Sequence, residues 1–305
     1  MASNTREIKR RIKSVGNIRQ ITKAMQLVAT SKMKRAQRRS LDSDAYAYGV
    51  LEILENVTRS SEGTGEHPYW KEHTAQKVGL LLISADRGFC GGLNVLLFNK
   101  VLDFIKKKEE EGNTVAVVTV GKKGRNFVKK LGMPIIADFT PGDHFMIQEI
   151  GPIARIATED FLRLQYKAIY LAYNQFVNTL RQVPIVRRIL PIDIATFKEI
   201  AALDVKMEKF SLREQEEKQA PARYLFEPSI EAVFGTIIPY LLEVEIYKAL
   251  LESLASEHSS RMIAMKNETD KAGELIGYLR LVYNQARQAS ITKEIAEISS
   301  GAMTS

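Results

Sequence analysis

The chain has a single cysteine in 305 residues, Cys90. One thiol excludes an internal disulfide and any metal site built from several cysteines, and it suits a reducing compartment. Long apolar runs are also missing: no stretch of about 18 apolar residues occurs, so nothing reads as a membrane span. Proline is absent from the first 67 residues and from everything after Pro239. The four histidines, His67, His73, His144 and His258, are scattered without the short spacings of a metal site. Acid is scarce at one end only. Residues 1–40 hold twelve Lys or Arg against one acid, Glu7, a net +11, which leaves the rest of the chain at −3 of the total +8. Such an arm points to a polyanionic partner: nucleic acid, an anionic membrane face or an acidic protein surface. The opening MASNTREIKRRIKSV lacks the apolar core of a secretory signal and enters a helical pattern at once, leaving no room for a cleavable transit segment.

The two proline-free ends carry helical periodicity. In the last long helix, Met262, Met265, Thr269, Ala272, Ile276, Leu279, Tyr283 and Ala286 alternate steps of three and four. A seam of period 3.5 supercoils with left-handed twist around a second helix. Thr269, Ala272 and Ala286 are small, which lets a partner backbone approach. At the other end, Thr5 to about Thr58 predicts one helix, with Ile8, Ile12, Val15, Ile18, Ile21, Met25 and Val28 as a single apolar stripe. Asn4 or Thr5 caps it and Glu7 suits its dipole. Such a helix reaches roughly 80 Å, longer than a compact domain of this size needs.

Between the ends, short apolar strands alternate with helical segments. KVGLLLIS (Lys77–Ser84), TVAVVTV (Thr114–Val120), IIADFT (Ile135–Thr140), YKAIYLAYNQF (Tyr166–Phe176) and VPIVRRILPI (Val183–Ile192) read as strands. Asn94–Lys108, Lys122–Leu131 and Ile153–Leu164 read as helices. Strand, helix, strand implies parallel pairing, hence an α/β sandwich of Rossmann-like character. Gly63, Gly65 and Pro68 mark a linker out of the first helix, with Tyr69 and Trp70 packing it onto the next domain. The loop SADRGFCGG, Ser84–Gly92, sits where α/β folds often bind phosphate, yet it has neither Gly-Lys-Ser/Thr nor G-x-G-x-x-G. GKKGR, Gly121–Arg125, reads as a strand-to-helix turn with solvated lysines. No histidine adjoins Cys90 in sequence to activate it as a nucleophile.

ITKAMQLVATSKMKRAQ, Ile21–Gln37, closely resembles the N-terminal helix of the gamma subunit of rotary proton-translocating ATP synthases, and the likeness is a run of identities. SEHSSRMIAMKNETDKAGELI (Ser256–Ile276) and YNQARQASITKEIAEISSGA (Tyr283–Ala302) resemble the same family, the latter through Ile291, Thr292, Glu294, Glu297, Gly301 and Ala302. The Asp-Arg-Gly-x-Cys-Gly-Gly turn and ARYLFEPSIEAV, Ala222–Val233, add to it. The tail Met303–Ser305 departs from the commoner small apolar ending. Some photosynthetic gamma subunits carry a regulatory cysteine pair near the charged stretch Phe197–Ala220; this chain has no cysteine there, so thiol regulation is not expected.

The resemblance implies an α/β fold with a long antiparallel two-helix coiled coil formed by the N- and C-terminal helices and a central Rossmann-like domain. The expected organisation is 1–60 coiled-coil helix, 77–195 α/β domain, 196–221 charged extension and 229–300 returning helix. It implies a rotor shaft without a catalytic site or cofactor of its own, turning inside three alpha and three beta subunits. Epsilon and the membrane c-ring are the other expected partners, at the cytoplasmic face of a bacterial cell membrane and without lipid insertion. Met25, Arg261, Arg287, Gln288, Thr292 and Glu294 match positions where rod and ring engage, and Tyr224, Phe226 and Glu227 match foot contacts. The readings that compete with it are a basic coiled-coil nucleic-acid binder, which lacks aromatic interleaving or a reading module, and a nucleotide-dependent α/β enzyme, which lacks a phosphate loop.

Overall fold

The computed structural model describes residues 2–60, 68–140, 142, 145–192 and 229–302. Its elements follow in the order α1 (Ala2–Ser60), β1 (Lys77–Ile83), α2 (Leu93–Glu110), β2 (Thr114–Val120), α3 (Lys122–Lys130), β3 (Ile135–Phe139), α4 (Gly151–Leu162), β4 (Ala168–Phe176), β5 (Gln182–Leu190) and α5 (Ile230–Ala302). The charged extension expected at 196–221 and the foot residues Tyr224, Phe226 and Glu227 lie outside the described residues. Contacts divide the chain into two compact units. One gathers Met1–Lys32, Phe89–Gly91 and His258–Ser305, the other Met33–Gly88 and Gly92–Glu257.

The larger unit is built on a five-stranded sheet of order β3-β2-β1-β4-β5. β1 pairs in parallel with β2 and β4, and β2 with β3, whereas β5 returns antiparallel to β4. The inner strands β1, β2 and β4 are apolar on both faces because helices cover both. On one face Leu80, Leu82, Val115, Val117 and Ala172 meet Leu97, Val101 and Ile105 of α2 and Val128 of α3. On the other, Leu81, Ile83, Leu171 and Tyr173 pack with Ile153 and Phe161 of α4 and with Phe234, Ile238, Leu241, Leu242 and Ile246 of α5. Tyr69 stacks on Phe161 and Trp70 stands edge-on to Phe234, so the entry segment is tied down as expected.

The smaller unit contains an antiparallel pair made by the first half of α1 and the second half of α5. Thr22 Oγ1 lies 2.8 Å from Thr269 Oγ1, and Arg19 lies over Gly273, so residue numbers fall on one helix as they rise on the other. On α5 the expected seam holds: Met265, Thr269 and Ala272 are buried and Met262, Ile276, Leu279, Tyr283 and Ala286 half-buried, while Lys266, Glu268, Asp270, Glu274, Tyr278 and Arg280 face water. On α1 the seam differs from the expected stripe. Ile8, Thr22 and Ala29 are buried, and Ile18, Ile21 and Val28 are at least half exposed. The reason is the spacing: Ile8, Val15, Thr22 and Ala29 fall seven apart on a 3.5-residue seam, whereas the successive three-residue steps from Ile12 through Val15 and Ile18 to Ile21 drift off it.

Candidate functional site

Exposure of large apolar side chains is the unusual property of the helix pair. Ile18, Ile21, Met25 and Val28 recur at steps of 3, 4 and 3, forming a second stripe beside the seam of α1; all but half-buried Met25 are exposed. On α5, Leu275, Tyr278 and Leu281 are exposed, and Ile291 and Ile295 continue toward the C-terminus. Single exposed apolar residues are ordinary, but stripes of them mark a surface that a protein or membrane partner covers. Interleaved with them, Arg6, Lys9, Arg10, Arg11, Lys13, Arg19 and Lys23 are exposed, and the only acid among the first forty residues, Glu7, is paired with Arg11 at 2.8 Å. The pair therefore presents an apolar and strongly basic exterior.

Residues singled out from the sequence fall into three environments. Arg287, Gln288, Thr292 and Glu294 are exposed on the last turns of α5, where Ser290 Oγ donates to Glu294 Oε1 at 3.3 Å. Met25 is half-buried between the seam residues Thr22 and Ala29. Arg261 is 7% exposed and its Nη1 donates to His258 Nδ1 at 3.1 Å, so its guanidinium is held against a neighbour on α5. Sequence reasoning missed Leu27, Leu275, Tyr278, Leu281 and Ile295 as surface residues. They all lie off the 3.5-residue seam of their own helix, and that offset was the signal.

The first turn of α3 is closed against the residues that follow β1. Ser84 Oγ accepts from Gly124 N at 2.7 Å, Asp86 Oδ1 accepts from Lys122 N at 2.9 Å and Ala85 O accepts from Lys123 N at 3.1 Å. The amides at the N-terminus of α3, which a phosphate would need, are therefore already engaged. Gly121, at φ 101°, permits this closure, because a Cβ there would collide with the Ser84 carbonyl. The turn GKKGR is thus a structural junction. No helix among the described residues is long and apolar enough to cross a membrane.

A protein-family model described as ATP synthase matches residues 4–304. The ATP synthase gamma chain of Actinobacillus succinogenes is 41% identical over 99% of this chain and 99% of its own length. That of Herpetosiphon aurantiacus is 40% identical over 98% of each chain. Among solved structures, the rotor of the Euglena gracilis mitochondrial ATP synthase aligns with a TM-score of 0.58 at 15% identity, covering 95% of this chain and all of that one. The Tetrahymena thermophila mitochondrial ATP synthase central stalk and c-ring structure aligns at 0.56 and 23%, covering 81% of this chain and 98% of that one. At these identities the structural matches speak for the fold.

Proposed function

The chain belongs to the ATP synthase gamma family, and from that premise we propose that it is the central rotor shaft of a bacterial ATP synthase, turning within a ring of three alpha and three beta subunits. The observation that carries this reading is the exterior of the helix pair. A two-helix rod with apolar stripes and a basic coat fits the lining of a sleeve that is itself apolar and acidic. Two helices have no three-fold symmetry, so one rod presents a different surface to each of three equivalent catalytic subunits. A conformational difference between those subunits requires such differential contacts. The chain contributes no catalytic residue; chemistry belongs to the beta subunits, and proton flow through the membrane sector supplies the turning force.

Within this reading Arg287, Gln288, Thr292 and Glu294 face the ring, as does the stripe of Ile18, Ile21, Met25 and Val28. Arg261 acts from beneath that surface. Exposed polar contacts suit a rotating interface, since each deeply buried ion pair across it resists release. Tyr224, Phe226 and Glu227 are the proposed foot contacts to epsilon and the c-ring at the cytoplasmic face of the membrane. A nucleic-acid partner is not needed to explain the basic arm, because an acidic protein sleeve meets the same charge.

The test is purification of the tagged chain from membranes solubilised in mild detergent, followed by subunit stoichiometry and an ATPase assay. One copy recovered with three alpha and three beta chains and with ATPase activity supports the shaft. Recovery alone, or with nucleic acid, overturns it.

A further inference from the structure

We propose that Thr22 and Thr269 form a register key in the helix pair, holding it against sliding by a heptad. Both residues are buried, at 8% and 7% exposure, and their hydroxyls meet out of reach of water in a seam otherwise made of apolar and small residues. Thr269 Oγ1 donates to Met265 O at 2.7 Å, which leaves its lone pairs to accept the Thr22 hydroxyl at 2.8 Å. The alternative acceptor for Thr22, Arg19 O, stands farther off at 3.1 Å.

A heptad seam by itself specifies register weakly, because a shift of seven residues restores the same apolar pattern. Polar residues at seam positions break that degeneracy. A slip of one heptad places Thr22 opposite Ile276 or Met262, and Thr269 opposite Ala29 or Val15. In either case the cross-helix bond is lost and an aliphatic or thioether group covers the hydroxyl. One turn away a second feature agrees. Gly273 lies beneath the Arg19 guanidinium, with the position of a Cβ 3.5 Å from Nε and 3.8 Å from Cζ. The same slip brings Arg19 opposite Arg280 or Lys266, so the cation meets a cation in place of a glycine. The hydrogen bond favours the native register and the charges oppose its neighbours, the two ways in which specificity is built. A coiled pair under torque twists partly by sliding one helix along the other, so in the shaft reading this key also stiffens the rod. That consequence rests on the proposed function, whereas the key itself does not.

Disulfide trapping in the full chain reads register directly. In a Cys90→Ala background, Val15→Cys with Ile276→Cys reports the native register and Val15→Cys with Tyr283→Cys reports a one-heptad slip. Adding Thr22→Val and Thr269→Val, which keep shape and remove the hydroxyls, is expected to raise the trapping rate of the slipped pair about tenfold, the value of one hydrogen bond. The native pair should change less than about twofold, and Thr22→Ser with Thr269→Ser should keep the parent rates. An unchanged slipped-pair rate in the valine variant, or an equal rise in the serine variant, overturns the proposal. Should circular dichroism show that the double valine variant loses its helix, Thr22→Val alone decides, because it spares the Thr269 bond to Met265. A slipped-pair rate equal to the parent's overturns the proposal there too.

Discussion

Among single residues, Tyr166 and the Arg187–Glu245 pair have the most direct consequences. The Tyr166 phenol is buried beside β1, and burial first, then the Asp160 carboxylate, pushes its pKa up to about 12. In the unfolded chain the same group ionises near 10. Between those values the unfolded state releases a proton that the folded state keeps. The stability conferred by the neutral phenol is therefore complete below pH 10 and is lost as pH rises toward 12. Tyr166→Phe should flatten that part of the fall in stability, measured by urea unfolding at several alkaline pH values; an unaltered slope would assign the loss to other groups. Arg187 Nη2 meets Glu245 Oε2 at 2.6 Å, both side chains largely buried, with the guanidinium 5.4 Å from the Tyr173 ring centroid. Glu245→Ala removes the carboxylate 2.6 Å from this buried cation and should cost about 3–5 kcal/mol in unfolding free energy. Replacing both by Met and Leu should recover most of it. Neither feature was legible in the sequence, because residues 58 positions apart announce no pairing until the sheet and helix are placed.

For whole elements, the sequence was most informative where a period was strict. The seam on α5 emerges residue for residue, and TVAVVTV becomes β2 with its expected bounds. On α1 the stripe leaves the seam at Ile18, Ile21 and Val28, because successive three-residue steps depart from a 3.5-residue period and the heptad line 8, 15, 22 and 29 takes Thr22 and Ala29 instead. That departure has functional content, because the displaced residues form the outward surface. Ile18→Gln with Ile21→Gln should change chain stability by less than about 1 kcal/mol, as surface substitutions do. The same change should weaken assembly with an alpha–beta ring by about tenfold or more, given about 1.5–3 kcal/mol for each isoleucine buried. Equal affinity of both forms in a reconstitution titration would remove the stripe from the interface. The loop junction is a separate case. Gly121→Ala should cost about 2 kcal/mol or more, from the positive φ and the collision with the Ser84 carbonyl, and chemical unfolding will show it. The spacing of GKKGR placed the turn correctly but not its partner, because the Ser84 contact depends on β1 and β2 lying side by side.

Across the whole molecule, charge is the organising quantity: +11 in the first forty residues against −3 in the rest. An exterior this basic steers an acidic partner from a distance and is screened within about 10 Å at 0.1 M salt. Assembly should therefore slow as ionic strength rises. Two arginines expected to face the ring now separate. Arg287 is exposed on α5, whereas Arg261 is buried and bonded to His258. Reversing Arg287 to Glu should leave the folded chain nearly as stable, within about 1 kcal/mol, and, in the proposed shaft, the reconstituted complex should hydrolyse ATP with weaker coupling to proton transport. Reversing Arg261 buries a carboxylate where a guanidinium made its bonds, so it should destabilise the chain by about 3 kcal/mol or more as well as impair coupling. Melting temperature of the isolated chain and ATP-driven proton pumping by the reconstituted enzyme, measured on the same preparations, distinguish the two. If Arg287→Glu lowers the melting temperature as far as Arg261→Glu does, the exposed end of α5 contributes to folding and its assignment to the ring loses its basis. If both variants pump normally, neither arginine transmits torque, and the apolar stripes alone carry the contact.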